Sequence, residues 1–298
     1  MVSPRFGTVL TAMVTPFGPD GSLNLDVAAQ IARFLVEQGC DGLVLAGSTG
    51  EGSALSDTEK LDLFACVSEA VSVPVLAGST SSNTARSVEL TARVAATGVA
   101  GVLATTPAYT RPSQKGIAAH LTAIAQSTKL PVMLYDIPSR TGRKIDSATT
   151  VTLVREVKNI VAVKDASGDL VEAAHTKAVL GDELDLYSGD DSVLLAFMAV
   201  GAVGIVSVAA HWAAPEFVGL VRCVEKGDWE GARELNERLA TSCAFETTAL
   251  YPNPIPAKAA LRALGFDVGQ CRLPLGESDD VCDGAAADLV AQLRAQRG

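Results

Sequence analysis

The chain has 298 residues, of which 48% are hydrophobic and 19% are charged, values typical of a globular protein with a substantial core. Its 34 acidic and 24 basic residues give a formal net charge of -10, which argues against nucleic acid or an anionic membrane surface as a partner. The six cysteines show no Cys-x-x-Cys spacing, and the three histidines form no His-Glu-x-x-His pattern. We therefore expect reduced thiols and no metal site.

Residues 1–15 lack the basic end and the apolar block of a secretory signal, so we expect a cytoplasmic protein. The uncharged segment 192–210 is long enough to cross a bilayer. However, Gly201 and Gly204 divide this segment, and two aspartates come directly before it. We interpret it as a buried helix followed by a buried strand, and not as a membrane span.

Short apolar segments recur along the chain at intervals of about 20–35 residues, the length of one strand-helix unit. They cover residues 8–14, 42–46, 73–77, 99–104, 131–135, 160–164, 184–187 and 204–208. Eight strands that alternate with helices predict a closed parallel (β/α)8 barrel, a TIM barrel, because an open sheet has no reason to stop at eight.

The segments between the predicted strands carry helix signals. Asp26 opens a segment with apolar residues at helical spacing, and Ser56 forms a capping box with Glu59 before the next helix. After about residue 225 the strand signal ends. The helices predicted beyond that point are 228–240, 256–264 and 285–297. We therefore expect a catalytic barrel, residues 1–225, and a small C-terminal helical domain, residues 226–298, that packs on the barrel.

Lys164 follows four consecutive apolar residues at the end of the sixth predicted strand. In a barrel of this type the carboxyl ends of the strands carry the chemistry, so Lys164 lies where a catalytic group is expected. Burial favours the neutral amine, which can attack a carbonyl and form a Schiff base. The alternative is a structural lysine that extends to solvent or pairs with Asp165.

The other strand ends add hydroxyl groups, tyrosines and an arginine to the same mouth. They include Ser48, Thr49, Tyr109, Tyr135, Arg140 and Ser188. Together with Lys164 this set supplies an amine, proton carriers and carboxylate binders, which chemistry through an imine requires. The glycines in 47–52 match neither of two common nucleotide-binding patterns, Gly-x-Gly-x-x-Gly and a glycine-rich loop that ends in Gly-Lys-Ser/Thr. They either make a tight turn or present backbone N–H groups and hydroxyls to a carboxylate.

Five strings between residues 47 and 256 resemble the dihydrodipicolinate synthase and N-acetylneuraminate lyase superfamily. They are Gly-Ser-Thr-Gly-Glu at 47–51, Tyr-Asp-Ile-Pro-Ser-Arg-Thr-Gly at 135–142, Val-Lys-Asp at 163–165, Ser-Gly-Asp-Asp at 188–191 and Asn-Pro-Ile-Pro at 253–256. The resemblance covers nearly the whole chain and implies a (β/α)8 barrel with C-terminal helices. It also implies a homotetramer built from two tight dimers, and a reaction without a cofactor.

The resemblance implies catalytic roles for four residues. Lys164 matches the Schiff-base lysine of the family, and Tyr135 matches its proton donor. Ser48 and Tyr109 match a proton relay with Tyr135, in which the tyrosine at position 109 crosses from the neighbouring subunit of the dimer.

The resemblance also implies the substrate contacts. Thr49 and the backbone of Val206 match contacts to pyruvate, and Gly189 is expected to bind substrate at the same mouth. Arg140 is similar to the arginine that receives the carboxylate of the aldehyde in the synthase branch, whereas sialate lyases lack this pattern. The implied reaction condenses pyruvate with L-aspartate-4-semialdehyde in lysine and diaminopimelate biosynthesis.

Three positions depart from the usual family pattern. Ser48 stands where the synthases commonly have threonine, Ala108 replaces the first tyrosine of a Tyr-Tyr pair, and Asp136 replaces an asparagine. Ser48 is more usual among aldolases, so a pyruvate-dependent aldolase acting on a 2-keto-3-deoxy sugar acid stays open as an alternative. A non-catalytic sensor or scaffold is a second alternative, against which the intact catalytic set argues.

The resemblance further predicts an enzyme that lysine does not inhibit strongly. In feedback-inhibited synthases the lysine pocket typically offers a tyrosine hydroxyl, a glutamate and a ring side chain. Here the corresponding positions carry Ala108, Arg86 and the charged residues Asp57 and Lys60. The arginine would repel the ammonium groups of lysine instead of binding them.

Overall fold

A computed structural model describes residues 4–297 of the chain. Eight parallel strands close into a barrel in chain order, with β8 paired to β1, so the predicted (β/α)8 barrel is confirmed. The strands are β1 (Val9–Ala12), β2 (Gly42–Leu45), β3 (Val75–Gly78), β4 (Gly101–Thr105), β5 (Val132–Asp136), β6 (Ile160–Asp165), β7 (Asp185–Ser188) and β8 (Gly204–Ser207). Residues 1–3, on which part of the interpretation of the N-terminus rests, and residue 298 lie outside the described residues.

Helices connect the strands and continue beyond β8. They are α1 (Leu25–Glu37), α2 (Asp57–Ala70), α3 (Thr84–Val94), α4 (Gln114–Gln126), α5 (Pro138–Thr141), α6 (Ser147–Glu156), α7 (Leu170–Leu180), α8 (Leu194–Ala199), α9 (Ala210–Glu225), α10 (Trp229–Phe245), α11 (Ile255–Ala263) and α12 (Asp280–Arg297). The uncharged segment 192–210 contains α8 and β8, as predicted. Within residues 4–297, none of the helices combines the length and the apolar character that a membrane crossing requires.

Two helices begin earlier than the sequence predicted. Helix α1 is capped by Asn24, which accepts a backbone N–H bond at 3.2 Å, whereas Asp26 lies inside the first turn. Helix α12 begins at Asp280 because Asp279 accepts the backbone N–H of Cys282 at 2.9 Å. The helix then continues through Gly284, where an added Cβ would meet nothing within 4 Å. The capping box of Ser56 and Glu59 is confirmed.

A compact apolar cluster fills the barrel interior and closes its amino-terminal end. It includes Leu10, Val44, Leu76 and Met133, with Phe6 at the bottom. A Cβ at Gly101 would come within 2.8 Å of the Phe6 ring, so the strand needs glycine at this position. Because side chains plug this end, the open end of the barrel is the carboxyl end of the strands.

A buried ion pair joins the barrel to the C-terminal helices. Glu51, in the turn after β2, lies 2.7 Å from the Nζ atom of Lys258 on α11, and the two side chains are only 0% and 1% exposed. Lys258 also donates to the carbonyl oxygen of Gln270 at 2.9 Å, and Glu51 accepts the backbone N–H of Arg272 at 2.8 Å. These bonds replace much of the water that the two charges lose on burial.

Breaking this pair from one side should destabilise the fold strongly, because it leaves an uncompensated charge in the interior. We expect Lys258→Met to lower the free energy of unfolding by about 3–5 kcal/mol, measured by urea denaturation. Arg86→Met, which breaks the more exposed pair with Asp57, serves as control and should cost about 1 kcal/mol or less. A Glu51→Met, Lys258→Met double variant should be less damaged than Lys258→Met alone; a larger loss would contradict the interpretation.

Candidate active site

Lys164 lies at the open end of the barrel, between tyrosines on both neighbouring strands. The strand register places it opposite Tyr135 on β5 and opposite Tyr187 on β7. Its side chain is 4% exposed, and its Nζ atom lies 4.4 Å from the centre of the Tyr135 ring. The structure therefore brings the predicted nucleophile and the predicted proton donor together.

Asp165 does not neutralise Lys164. Consecutive residues of a strand point to opposite faces, so the Asp165 carboxyl group lies on the outer face, in a small cavity with Asp136. There it accepts the backbone N–H of Ser167 at 2.8 Å, while burial raises the pKa of Asp136 to about 7. Among residues 4–297, no carboxylate lies within 4.0 Å of the Lys164 amine. The alternative of an ion pair between Lys164 and Asp165 is therefore wrong.

The predicted carboxylate binders meet at one residue that the sequence did not assign to the site. Asn253 precedes α11, and its Nδ2 atom donates to the Thr49 hydroxyl at 2.9 Å. The backbone carbonyl oxygen of Asn253 accepts a hydrogen bond from the Arg140 guanidinium at 3.0 Å. Asn253 thus orients both side chains, although only its place in the Asn-Pro-Ile-Pro string had drawn attention to it.

The turn after β2 is strained, which is typical of functional sites. Ala46 and Glu51 both have φ of 52°, a left-handed conformation that costs about 1–3 kcal/mol for a residue other than glycine. A Cβ at Gly52 would lie 2.0 Å from the Ala46 carbonyl oxygen, so the turn can close this tightly only with glycine there. Ser48, at the centre of the turn, is half-buried. It lines a cavity of about 540 Å³ at the mouth of the barrel.

The three remaining predicted site residues lie in different settings. Gly189 follows β7, and a Cβ there would come 3.0 Å from the Lys164 side chain, so glycine lets the backbone approach the lysine. Val206 is fully buried in β8. Tyr109 is 95% exposed, with φ of 72°, and does not line the cavity of its own chain. One chain alone therefore does not assemble the predicted relay of Ser48, Tyr109 and Tyr135.

A pair of buried carboxyl groups lies near Lys164, and sequence reasoning missed one of its members. Asp191 accepts the Ser207 hydroxyl and the backbone N–H of Val208, and the carboxyl group of Glu246 in the C-terminal segment lies close to it. Burial raises the pKa of both carboxyls, that of Glu246 to about 11, and the positive charge of Lys164 acts in the opposite direction. The negative charge of Asp191 thus adds to the effect of burial on the pKa of Glu246. Glu246 belongs to no motif, so the sequence carries no signal for it.

Comparison with known proteins agrees with this geometry. The sequence matches the model of the dihydrodipicolinate synthetase family over residues 5–293. The 4-hydroxy-tetrahydrodipicolinate synthase of Moorella thermoacetica is 47% identical over 273 residues, which are 91% of this chain and 92% of that protein. The protein of the same name from Synechococcus is 44% identical over 292 residues, 97% of this chain and 96% of that one.

Solved structures with the same fold give the same result. One is the crystal structure of DHDPS (dihydrodipicolinate synthase) from Cyanidioschyzon merolae with lysine bound. It has a TM-score of 0.92 and 39% sequence identity to this chain, and the match covers 96% of this chain and 98% of that one. Dihydrodipicolinate synthase from Bacillus anthracis also has a TM-score of 0.92, with 38% identity over the same shares of the two chains. The motifs, the barrel and the buried lysine thus agree with the comparisons, and this chain belongs to the dihydrodipicolinate synthetase family.

Proposed function

We propose that this protein is a lyase that condenses pyruvate with L-aspartate-4-semialdehyde to give 4-hydroxy-tetrahydrodipicolinate, in lysine and diaminopimelate biosynthesis. The observation that carries the proposal is Lys164, buried without a carboxylate partner at the mouth of the barrel and packed against Tyr135. The family membership and the names of the relatives support the same reaction.

The first half of the reaction activates pyruvate. The neutral amine of Lys164 attacks the ketone carbon, and the resulting adduct loses water to form an imine. The imine withdraws electrons from the adjacent methyl group, so a methyl proton leaves and an enamine forms. Tyr135, whose ring contacts the lysine amine, is placed to carry protons in these steps.

The second half forms the carbon–carbon bond and releases the enzyme. The enamine carbon attacks the aldehyde carbon, the imine is restored, and the aldehyde oxygen takes up a proton to become the hydroxyl group. The amino group of the second substrate then attacks the imine carbon and displaces the Lys164 amine while the ring closes. No electrons are gained or lost overall, and the imine on Lys164 itself withdraws the electrons that form the enamine. These steps therefore require neither a redox cofactor nor a cofactor that acts as an electron sink.

Proton transfer provides an argument for a dimer. We assign the relay to Tyr135, Ser48 and the Tyr109 side chain of a neighbouring subunit. Tyr109 is 95% exposed and has a strained backbone conformation, as expected for a side chain that contacts another copy of the chain. We propose a homotetramer built from two such dimers, although one solved relative is described as a monomeric variant.

Two groups of residues bind the two carboxylates in this proposal. Thr49, the Val206 backbone and Gly189 bind pyruvate close to Lys164, and Gly189 suits this role because the absence of a side chain lets its backbone approach the lysine. Arg140 binds the carboxylate of the aldehyde, because it lines the cavity at the mouth of the barrel and its guanidinium is oriented by Asn253.

Two further features belong to the proposal. Six free cysteines support a reducing compartment, and we place the enzyme in the cytoplasm. We also keep the proposed division into a barrel, residues 1–225, and a helical domain, residues 226–298, since α9 ends at Glu225 and α10 to α12 follow it.

The covalent step can be tested directly. Borohydride reduction in the presence of pyruvate should attach one reduced pyruvyl group to the peptide that contains Lys164, detected by mass spectrometry. Lys164→Ala should abolish both the label and turnover, because no other group replaces a covalent nucleophile. Lys129→Ala, at an exposed position before β5, should keep both. Labelling of a different lysine would refute the mechanism.

Arg140 should affect the second substrate more than pyruvate. Loss of a charge-assisted contact costs about 1.5–3 kcal/mol, so Arg140→Ala should lower kcat/KM for the aldehyde by about 10- to 150-fold. Arg143→Ala removes the same charge at an exposed position that does not line the cavity, and it should behave like the unmodified enzyme. A variant in which only the KM for pyruvate rises would contradict the assignment.

A pyruvate-dependent aldolase for a 2-keto-3-deoxy sugar acid is the second candidate function, and Ser48 favours it. The two candidates differ in the aldehyde that the enamine attacks. Steady-state assays with pyruvate and either aspartate semialdehyde or a sugar aldehyde separate them by the larger kcat/KM. We expect aspartate semialdehyde to be preferred, because Arg140 matches its carboxylate.

Lysine should leave the activity nearly unchanged. Ala108, Arg86, Asp57 and Lys60 all line one cavity, so the residues that replace the expected lysine contacts lie together there. An effector acts only through differential contacts, and the two cations disfavour a ligand with ammonium groups. Turnover titrated with lysine into the millimolar range, against sodium chloride as a salt control, should stay flat. Inhibition to below half at about 1 mM would show that other residues bind lysine.

A further inference from the structure

Lys60 is a buried cation without a partner. It lies on α2 and is 5% exposed. Among residues 4–297, no carboxylate lies within 4.0 Å of its amine. Burial lowers its pKa, the charge of Arg86 lowers it further, and Asp57 acts in the opposite direction. A buried charge of this kind is costly unless something neutralises it.

The acidic residues around Lys60 are already occupied. Asp57 accepts two bonds from the Arg86 guanidinium, at 3.0 and 3.3 Å. Glu51, the other acid that lines the mouth cavity, pairs with Lys258. Neither carboxylate is therefore left to neutralise Lys60 itself.

The cavity that Lys60 lines carries an excess of positive charge. Its lining includes four cations and only two acids, and the cations are Lys60, Arg86, Arg140 and Arg272. The turn after β3 adds the hydroxyl-bearing residues 79–82, which suit an oxygen-rich ligand. Ala108 also lines the cavity and fills little of it, because its side chain is a single methyl group. Lys164 is not part of this lining, so the inference does not depend on the catalytic lysine.

We propose that Lys60 anchors a second binding site, in the outer part of the mouth cavity, for a small anion of the carboxylate or phosphate class. The anion supplies the negative charge that Lys60 lacks, and Arg86 provides a second contact. The same cavity is lined by Ser48 and Gly52, so a bound anion lies against the turn after β2 and can influence the proposed proton relay. The site therefore favours a negatively charged ligand and disfavours a ligand with ammonium groups, such as lysine.

Binding measurements test this proposal without using turnover, so their outcome is independent of the proposed reaction. Inorganic phosphate and succinate are titrated separately by calorimetry into the full-length protein. We expect at least one of them to bind, and Lys60→Met to weaken that binding about tenfold or more. Lys129→Met, at an exposed position, and Lys164→Ala should bind as the unmodified protein does.

Three results would overturn the site. They are no binding of either probe, unchanged affinity in Lys60→Met, and affinity lost in Lys164→Ala but kept in Lys60→Met, which would place the anion at the catalytic lysine. Lys60→Gln provides a polar replacement if Lys60→Met does not fold. Arg86→Met should lose part of the affinity, because it removes the second contact, and full affinity there would remove Arg86 from the site.

Discussion

The buried pair of Glu51 and Lys258 is the interaction on which the open end of the barrel depends. Two charges leave water together, and each is acceptable in the interior only in the presence of the other. Such a pair adds little net stability compared with an apolar contact, but it restricts position closely. Here it joins the strained turn after β2, which contains Ser48 and Thr49, to α11 of the C-terminal helices.

Two separate sets of contacts therefore position the residues of the site. The barrel alone places Lys164 beside Tyr135, because their strands are hydrogen-bonded neighbours in a fixed register. The C-terminal segment positions Thr49 and Arg140, the proposed carboxylate binders, because Asn253 bonds to both. Strand pairing thus accounts for the position of the proposed nucleophile, whereas contacts between the barrel and the added helices account for the positions of the proposed substrate-binding side chains.

The sequence predicted the features that depend on local patterns. Apolar runs located all eight strands, and the run before Lys164 predicted that this lysine is buried at the end of β6, because burial of a parallel strand leaves a clear signal. Contacts between distant residues left no comparable signal. The bond from Asn253 to Thr49 spans 204 positions, and Glu246 reaches Asp191 without any motif. Lys60 lacks an acidic partner because Asp57 is bonded to Arg86 of α3, a contact between helices that periodicity does not specify.

The span between Thr49 and Asn253 also has a consequence for how the protein matures during translation. The ribosome delivers β2 and its turn early, but Asn253, which bonds to this turn, is synthesised 204 residues after Thr49, and Lys258 follows it. Until then Glu51 has no lysine to pair with, so its carboxylate favours water over the interior. The barrel strands can pair first, while the mouth of the site acquires its final geometry only after α11 has been synthesised.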